Sequence, residues 1–495
     1  MPELTRFGRP RLGSQAVEAG IQAIACAVLL FVAACVPQEP TPSGAPSSHP
    51  AAERLMPCDT APGSDQSEAP REPPGVGAWS HVFCIQLTLE RTKGWPQTVQ
   101  AVVLSNQATD PLSGRKVIVY HPGGPGFSVV RRTIEAPPVF DPDKYVVVAW
   151  DGNSAGDTPG PCGPASIRFL TERTPENYAD LLGEIGSECR LGFGSPADVG
   201  AWAAAEELEA VRDRLGVDRL VLFTQSYGTT IAEAYLALHP DRVERAVLDA
   251  PLGLDVSWIA RLGAVRSTLQ RAANDLAGSC RGQSCRAVLD AAPPDAMYRR
   301  LREAILAARP RVGSGSLELT PIMLDEATLL TLKTDRFWDG YAGAVEHALG
   351  GDGTMLWQIG ERSHLDLDLA AYYRSICADL VRPDAVAGYR IGDDPLLFAF
   401  TSGFAPCVEF PHGQPRTLPS APAGAPEVLV VASTEDPFSP ESMIGRSPAL
   451  KELGPTCVTH VVGHTSYSDA AVRELVDRFI AGESAEAIGK ECAVL

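Results

Sequence analysis

The most informative stretch of the sequence is Thr224-Gln225-Ser226-Tyr227-Gly228, which lies between an apolar run at 219–223 and a stretch with helical periodicity at 227–239. A serine between a buried strand and a helix is typical of a nucleophile elbow, a sharp turn that holds the hydroxyl above the sheet. Gly228 suits this turn because a side chain there would meet the neighbouring backbone. Thr224 departs from the usual motif, which has glycine at that position. The stretch predicts Ser226 as a nucleophile.

Apolar runs on either side of Ser226 predict the strands of a sheet. Residues 82–89 and 98–104 alternate as half-buried strands do, and continuous apolar runs lie at 117–120, 145–150, 219–223, 243–248, 428–432 and 459–462. Helical stretches lie between them, most clearly at 199–215 and 227–239. This alternation predicts an α/β fold with a mostly parallel sheet and helices on both faces. In such a sheet, chemistry lies outside the carboxyl ends of the strands.

The segment 257–397 interrupts this alternation of strands and helices. Helical periodicity is present at 259–277, 295–308 and 325–332, without a strong strand pattern. The sheet pattern resumes at Glu427. The sequence therefore predicts a helical cap at 257–397, inserted between a first part of the core at 79–256 and a C-terminal part at 398–495.

A nucleophilic serine needs a base and an acid, and both are expected after late strands. Asp436 follows the second-last apolar run, and His464 follows the last one. The chain order serine, aspartate, histidine predicts a catalytic triad of Ser226, Asp436 and His464. Glu435 is the rival acid, and His460 is expected to pack or to face solvent.

The segment Tyr120-His121-Pro122-Gly123-Gly124-Pro125-Gly126 follows an earlier apolar run. Consecutive glycines at a strand end allow backbone N–H groups to approach a ligand closely. An oxyanion hole needs such donors directed at the oxygen that develops negative charge. We therefore expect the N–H groups of Gly124 and Tyr227 to form an oxyanion hole.

On these residues the chain resembles the secreted tripeptidyl aminopeptidases and the related proline iminopeptidases, which are serine exopeptidases of the α/β-hydrolase fold. The resemblance covers roughly residue 79 to the C-terminus and rests on Pro122-Gly123-Gly124-Pro125-Gly126, Gln225-Ser226-Tyr227-Gly228-Thr229, Leu248-Asp249, Gly351-Asp352-Gly353, Ile376-Cys377-Ala378-Asp379, Asp436-Pro437-Phe438-Ser439-Pro440 and Gly463-His464-Thr465-Ser466. It implies an α/β-hydrolase fold with an inserted helical cap. It also implies release of residues or short peptides from a free N-terminus. The family usually has an Asp followed by an Arg-Gly loop, whereas this chain reads Asp151-Gly152-Asn153.

Two other functions stay open from the residues alone. The same triad would serve an esterase or amidase acting on small acyl substrates, and a degenerate hydrolase could serve as a surface binding protein. An aminopeptidase needs a carboxylate to pair with the substrate ammonium, because a desolvated ammonium without a partner is costly. The sequence favours none of the acidic candidates in the cap, which are Glu326, Asp335, Asp339, Glu346, Asp366 and Asp379.

The first 35 residues have the pattern of an export signal. Basic residues precede an apolar run at 21–34 that is too short for a comfortable transmembrane helix. The run ends in Val32-Ala33-Ala34-Cys35, which resembles a bacterial lipobox, where the cysteine is lipidated and becomes the mature N-terminus. A plain cleaved signal or an uncleaved anchor is the alternative. We expect an exported protein that Cys35 anchors to a membrane of the bacterial cell envelope.

The segment 36–78 is rich in Pro, Ser, Gly and Ala, so it cannot bury enough apolar surface to offset its ordering entropy. We expect it to be a flexible linker. The formal net charge of −19 argues against nucleic acid as a partner, because phosphate binding needs a basic face. It argues equally against electrostatic attachment to an anionic membrane.

Cysteine usage supports export. Of 12 cysteines, Cys26 lies in the signal and Cys35 in the lipobox. The ten cysteines that follow are an even number, which is typical of disulfides in an exported protein. Pairing neighbours along the chain predicts Cys58–Cys84, Cys162–Cys189, Cys280–Cys285, Cys377–Cys407 and Cys457–Cys492. No CxxC pair or Cys/His cluster is present, so neither a metal site nor a cofactor is expected.

Overall fold

The structure is a computed structural model that describes residues 55–58, 79–90, 96–152, 164–189, 199–362, 367–380, 394–409, 418 and 425–492. Its strands are β1 (Met56–Pro57), β2 (His81–Glu90), β3 (Pro96–Ser105), β4 (Lys116–His121), β5 (Tyr145–Asp151), β6 (Leu220–Gln225), β7 (Val243–Asp249), β8 (Glu427–Ser433) and β9 (Thr456–Thr459). Its helices before the cap are α1 (Val129–Glu135), α2 (Pro164–Glu172), α3 (Tyr178–Cys189), α4 (Gly200–Leu215) and α5 (Tyr227–Leu238). Those between β7 and β8 are α6 (Trp258–Ser279), α7 (Gln283–Leu289), α8 (Met297–Ala307), α9 (Pro321–Thr331), α10 (Trp338–Leu349), α11 (Thr354–Arg362), α12 (Leu369–Asp379) and α13 (Pro395–Ser402). The last helices are α14 (Pro448–Leu453), α15 (Ala470–Ala481) and α16 (Ala485–Cys492).

The strands form one sheet in the order β1-β2-β3-β5-β4-β6-β7-β8-β9. Neighbours from β1 to β5 in this order pair antiparallel. Neighbours from β5 to β9 pair in parallel. Parallel neighbours need long crossover connections, which the helices supply. The predicted α/β class with a mostly parallel sheet is confirmed.

Alternate residues of the central strands pack on opposite faces of the sheet, which explains why these strands are apolar throughout. In β6, Leu220 and Leu222 join a core with residues of α4 and α5. Val221 and Phe223 join a second core with residues of α15 and α16. Burying each such side chain stabilises the fold by about 1.5–3 kcal/mol. The strand ends are therefore held rigidly between two layers of helices.

The cap helices α6–α11 and α13 bury a core of their own, which includes Leu269, Met323 and Val345. Helix α12 packs instead on the core beside the sheet, through Tyr373 and Ile376. Helix α13 belongs to the cap core, because its Leu397 and Ala399 both pack there. The boundary predicted between residues 397 and 398 is corrected accordingly, since it would divide one helix. The sequence pattern did not place this boundary correctly, because the strand that marks the return to the sheet, β8, begins only at Glu427.

The linker predicted at 36–78 contains an ordered segment. Leu55 is buried, β1 pairs with β2, and a disulfide joins Cys58 to Cys84. The prediction is wrong for residues 55–58, because the disulfide and the strand pairing hold them on the sheet. The rest of the predicted linker, the export signal and Cys35 lie outside the described residues.

The last strand lies at Thr456–Thr459 and not at 459–462, so this predicted range is corrected. After Thr459 the chain leaves the sheet and Val462 is exposed. His460 is exposed as well, and its Nδ1 lies 2.8 Å from Thr434 Oγ1. The β-branched residues have strand propensity, but the chain turns here to bring the following loop over the sheet.

Disulfides join four of the predicted cysteine pairs, which are Cys58–Cys84, Cys280–Cys285, Cys377–Cys407 and Cys457–Cys492. The fifth predicted pair, Cys162–Cys189, lies outside the described side chains. Among the helices that the structure describes, none is long and apolar enough to span a membrane.

Candidate active site

The structure brings Ser226, His464 and Asp436 together at the carboxyl ends of β6, β8 and β9. His464 Nε2 lies 2.7 Å from Ser226 Oγ, and His464 Nδ1 lies 2.8 Å from Asp436 Oδ2. Asp436 is 1% exposed and His464 is 14% exposed, so the acid is shielded while the base stays accessible. A serine in this arrangement can pass its proton to Nε2, and Asp436 can stabilise the resulting imidazolium.

The elbow holds Ser226 in a strained backbone conformation, with φ 53° and ψ −127°. The Ser226 N–H donates to the Asp249 carbonyl at 2.9 Å, which fixes the turn against β7. A Cβ on Gly228 would lie 2.6 Å from the His121 carbonyl oxygen, so only glycine fits there. Positive φ at a non-glycine residue is rare and is often found at functional sites.

Backbone donors orient the Asp436 carboxylate. Asp436 Oδ1 accepts hydrogen bonds from the N–H groups of Phe438 at 2.8 Å and Ser439 at 3.0 Å. The Ser439 hydroxyl donates to the Pro251 carbonyl in turn. The turn after β8 thus fixes Oδ1 by backbone donors and leaves both oxygens within reach of His464 Nδ1, Oδ2 at 2.8 Å and Oδ1 at 3.1 Å.

A second buried carboxylate, Asp249, positions the loop that carries His464. It accepts the N–H groups of Ser466 at 2.9 Å and Tyr467 at 3.1 Å, together with the Gln225 amide at 2.8 Å. Burial raises the pKa of Asp249, while these donors oppose the increase. The sequence indicated Leu248-Asp249 only as part of a family motif, and it did not predict that Asp249 positions the His464 loop. An acidic residue at the end of a buried strand was the signal that could have indicated this role.

The glycine-rich segment after β4 lies against the elbow. Gly123 has φ +82°, and a Cβ there would lie 2.6 Å from Ser226 Cβ. The Gly123 N–H donates to His121 Nδ1 at 3.1 Å. Burial lowers the pKa of His121 to about 3, so its ring stays neutral and can accept this bond. Among the turn and loop contacts of the described residues, neither the Gly124 N–H nor the Tyr227 N–H donates to a backbone carbonyl. Their role as oxyanion donors stays a prediction.

Asp151 fixes the helix that follows this segment. Its carboxylate accepts the Val129 N–H at 2.6 Å and the Val130 N–H at 3.1 Å, at the N-terminus of α1. A carboxylate is favourable there because the first N–H groups of a helix lack partners within the helix. Arg132 of α1 stacks on Phe127, with its guanidinium carbon 3.7 Å from the ring centre. Asp151 thus has a positioning role without the Arg-Gly loop of the resembled family.

The rivals to the triad residues lie elsewhere. His460 is bound to Thr434, as described above. A Glu435 carboxylate oxygen lies 3.6 Å from Arg271 Nε on α6, and it is Asp436 that contacts His464.

The cap acids have different environments. Asp335 and Asp339 are exposed, and Asp366 lies outside the described residues. Glu346 accepts the backbone N–H groups of Ser284 and Cys285. Glu326 is buried and forms an ion pair with Arg173.

Asp379, at the end of α12, is bound to Tyr227, the residue that follows Ser226. Its Oδ2 accepts the Tyr227 hydroxyl and the Ala201 N–H, the latter at 2.8 Å. Burial raises the pKa of Asp379 to about 7. Since the Tyr227 N–H is an expected oxyanion donor, Asp379 ties the cap to the start of α5.

One group of potential metal ligands is present in the described part of the chain, formed by Cys280, Cys285 and Glu346. The two cysteines are joined in a disulfide, so they offer no thiolate. The Glu346 carboxylate already accepts the Cys285 N–H at 2.7 Å. These residues do not fit a metal ion.

Curated relatives share this chain's sequence over most of its length. The serine protease Hip1 of Mycobacterium tuberculosis is 23% identical over 436 residues, covering 77% of this chain and 82% of that protein. Carboxylesterase B of the same organism is 27% identical over 369 residues, covering 67% and 71%. A proline iminopeptidase of Xylella fastidiosa is 27% identical over 157 residues, covering 30% and 38%.

A family model described as alpha/beta hydrolase fold matches residues 74–470. The match spans both parts of the sheet and the cap between them. It agrees with the strand order and with the serine at the β6–α5 elbow. The chain belongs to the α/β-hydrolase fold family.

Proposed function

We propose that this protein is a serine hydrolase that releases residues or short peptides from free N-termini. The observation that carries the hydrolase part is the chain of contacts from Ser226 Oγ to His464 at 2.7 Å and from His464 to the buried Asp436 at 2.8 Å. Nucleophile, base and orienting acid are within hydrogen-bond reach of one another.

The reaction runs through an acyl-enzyme on Ser226. Ser226 Oγ attacks the substrate carbonyl carbon while its proton moves to His464 Nε2, and the Gly124 and Tyr227 N–H groups bind the oxyanion. The C–N bond then breaks, and the leaving amine takes the proton from Nε2. Water repeats the sequence on the ester, which frees the acyl product and restores the serine hydroxyl.

Peptide substrates are supported by the motifs shared with tripeptidyl aminopeptidases and by relatives named as a serine protease and a proline iminopeptidase. Among the described cap acids, Glu326 is the best candidate for the substrate ammonium. It lies on α9, and the carbonyl oxygen of Lys333, two residues after this helix, accepts the His464 N–H at 2.8 Å.

The second candidate function is hydrolysis of small acyl esters or amides. The relative named carboxylesterase B, 27% identical over 369 residues, favours it. The two functions share the acyl-enzyme and differ in the requirement for a free substrate amine.

Active-site labelling tests the hydrolase proposal. A fluorophosphonate probe should label the protein on Ser226, and Ser226→Ala should abolish labelling and turnover. Ser468→Ala is the matched control, because Ser468 is an exposed serine in the same protein. Labelling that persists in Ser226→Ala would contradict the assignment of the nucleophile.

Acetylation of the substrate amine separates the two functions. N-acetylation of a good peptide substrate should lower kcat/KM on the order of a hundredfold, or about 2.7 kcal/mol, because the ammonium loses its carboxylate partner. Equal hydrolysis of free and acetylated peptides, or rapid cleavage of short acyl esters without peptide cleavage, would favour the esterase.

We also propose that the protein is exported and that a lipid on Cys35 anchors it to a membrane. The lipobox-like Val32-Ala33-Ala34-Cys35 and the disulfides support this proposal. More than one acyl chain anchors a protein far better than a single chain. Mass spectrometry of the mature protein should find a lipidated Cys35, and an unmodified N-terminus downstream of it would refute the anchor.

A further inference from the structure

A row of aromatic rings leads from the catalytic histidine into the cap. The Phe438 ring, in the turn after β8, contacts the His464 ring edge to face, with 5.6 Å between their centroids. The Phe438 centroid lies 6.1 Å from that of Phe400 on α13, which lies 5.4 Å from that of Phe404. The Phe404 ring stacks with Tyr372 of α12 at 6.5 Å. These centroid distances are those at which aromatic pairs attract. We call Phe438, Phe400, Phe404 and Tyr372 the aromatic wall.

The other end of the aromatic wall lies against the glycine-rich segment. A Cβ on Gly126 would lie 2.9 Å from Tyr372 Cβ, so the two residues are in close contact. The Gly126 carbonyl also accepts the Asp368 N–H at 2.7 Å, directly before α12. Gly123 of the same segment contacts the nucleophile, since a Cβ there would lie 2.6 Å from Ser226 Cβ. The wall therefore joins two sides of the catalytic centre, the base at one end and the glycine-rich segment at the other.

The rings of the aromatic wall keep part of their surface open. All four residues are partly exposed, whereas Trp258, whose ring lies 4.8 Å from that of Phe404, is buried. Ligand sites are lined mainly by apolar and aromatic side chains that retain accessible surface. A contiguous set of such rings beside a nucleophile is therefore suited to binding an apolar group.

Contacts on both sides hold the aromatic wall in place. Arg173 donates to the Ala399 carbonyl at 3.1 Å and to the Ser402 hydroxyl at 2.8 Å, on either side of Phe400. The disulfide Cys377–Cys407 joins α12 to the turn after Phe404. A surface fixed in this way loses little conformational entropy when a ligand binds.

We propose that the aromatic wall binds a large apolar side chain in the acyl part of the substrate, on the residue whose carbonyl Ser226 attacks. That carbonyl must lie beside the nucleophile, between the base and the glycine-rich segment, and the wall joins these two. Contact with the rings removes apolar surface of the side chain from water. This proposal rests on the proposed function and deepens it, because it names the preferred substrates as those with a large apolar residue before the scissile bond.

The proposed ammonium site favours the acyl part over the leaving group. In an aminopeptidase the free amine belongs to the acyl part, and Glu326 is its proposed partner. Glu326 forms an ion pair with Arg173, the same arginine that holds the helix of Phe400. The acyl part would therefore extend from Ser226 along the aromatic wall.

A second explanation for the aromatic wall is structural. The rings could serve only to join the cap to the sheet, since they pack against the buried cores of both. Under that explanation, removal of a ring lowers stability and changes activity equally for every substrate. The ratio of kcat/KM between matched substrates therefore separates the two explanations.

The experiment uses free-amine 4-nitroanilides of Ala, Leu and Phe, and the corresponding Ala-Ala-Ala, Ala-Ala-Leu and Ala-Ala-Phe series. Wild-type enzyme should favour Leu and Phe over Ala before the scissile bond by about tenfold or more in kcat/KM, because even one methylene in an apolar pocket can have an effect of this size. Phe400→Ala should reduce the Leu-to-Ala ratio at least about fivefold, with little change for the Ala substrate. Phe400→Leu, which preserves an apolar side chain and the fold, should give a smaller reduction.

Controls and outcomes distinguish this proposal from the proposed function. Leu317→Ala, at an exposed apolar side chain of the cap, should leave the ratio unchanged. Labelling by the fluorophosphonate probe verifies that each variant is folded. A wild-type enzyme that cleaves the Ala substrates as fast as the others would overturn the role of the aromatic wall, as would an unchanged ratio in both Phe400 variants. Wild-type protein that neither reacts with the probe nor cleaves any substrate would contradict the proposed function itself.

Discussion

In the sheet, Ser226, Asp436 and His464 follow the ends of three strands, and backbone hydrogen bonds fix each turn. In the cap, the described carboxylates make side-chain contacts instead: Glu326 of α9 pairs with Arg173, and Asp379 at the end of α12 accepts the Tyr227 hydroxyl. Under the proposed function, the sheet sets the geometry of bond cleavage, and the cap sets which substrates fit. Changes in the sheet should therefore lower activity towards every substrate, whereas changes in the cap should alter preference.

The largest expected effect concerns the base. His464→Ala should reduce kcat by roughly 10⁴-fold or more, because a serine hydroxyl without a base is a poor nucleophile. His460→Ala is the matched control, since His460 is four residues away and its Nδ1 lies 2.8 Å from Thr434 Oγ1. Steady-state kinetics on one ester and one peptide measures both variants. Comparable losses of kcat in the two variants would contradict the assignment of His464 as the base.

Two disulfides allow the contribution of a cross-link to the free energy of unfolding to be compared between the core and the cap. Cys457–Cys492 closes a separation of 35 residues in the core, and Cys280–Cys285 closes one of 5 residues in the cap. Loop-closure entropy gives about 4 kcal/mol for the longer loop and about 2 kcal/mol for the shorter. All four sulfur atoms are buried, so double Cys→Ala variants lose similar packing. Denaturant unfolding should show the greater loss for the core pair, and the reverse order would contradict the entropic account.

The glycine-rich segment tests how tightly the sheet controls geometry. Gly123→Ala should lower kcat about a hundredfold, because the new Cβ would clash with Gln225 O at 2.5 Å and displace the oxyanion donors. Gly114→Ala is the control, since Gly114 has φ +70° and nothing within 4 Å of its Cβ position. It should cost about 1 kcal/mol of stability from backbone strain and no activity. An active Gly123→Ala enzyme would argue against the oxyanion role.

The sheet part of the site could be predicted from sequence because parallel strands are continuous apolar runs and their ends are locally visible. Ser226, Asp436 and His464 each stand directly after such a run. The last strand was misplaced by three residues, since Val461 and Val462 have strand propensity although the chain has already left the sheet. The triad prediction did not depend on that register.

The positioning and cap residues could not be ranked from sequence. Asp249 and Asp151 act by accepting backbone N–H groups that only the fold brings near. Helical periodicity shows that α9 is buried, but it does not show that Glu326 pairs with Arg173, 153 positions away in sequence.

The smallest expected effect is a pH dependence at the junction of cap and sheet. Burial raises the pKa of Asp379 to about 7, above its usual value near 4. Between these values the folded state holds a proton that the unfolded state has lost, so the free energy of unfolding falls as pH rises from about 4 to 7. Asp379→Asn carries no charge, and its carbonyl oxygen can still accept the Tyr227 hydroxyl and the Ala201 N–H. The variant should therefore match wild type near pH 4 and be more stable by about 1–2 kcal/mol above pH 7.

Asp290→Asn, at an exposed position, serves as the control and should follow wild type at both pH values. If urea unfolding shows the same pH slope for Asp379→Asn as for wild type, the proton is held elsewhere. Retained kcat in this variant would show that the hydrogen bond to Tyr227, and not the charge of Asp379, connects the cap to the oxyanion donors.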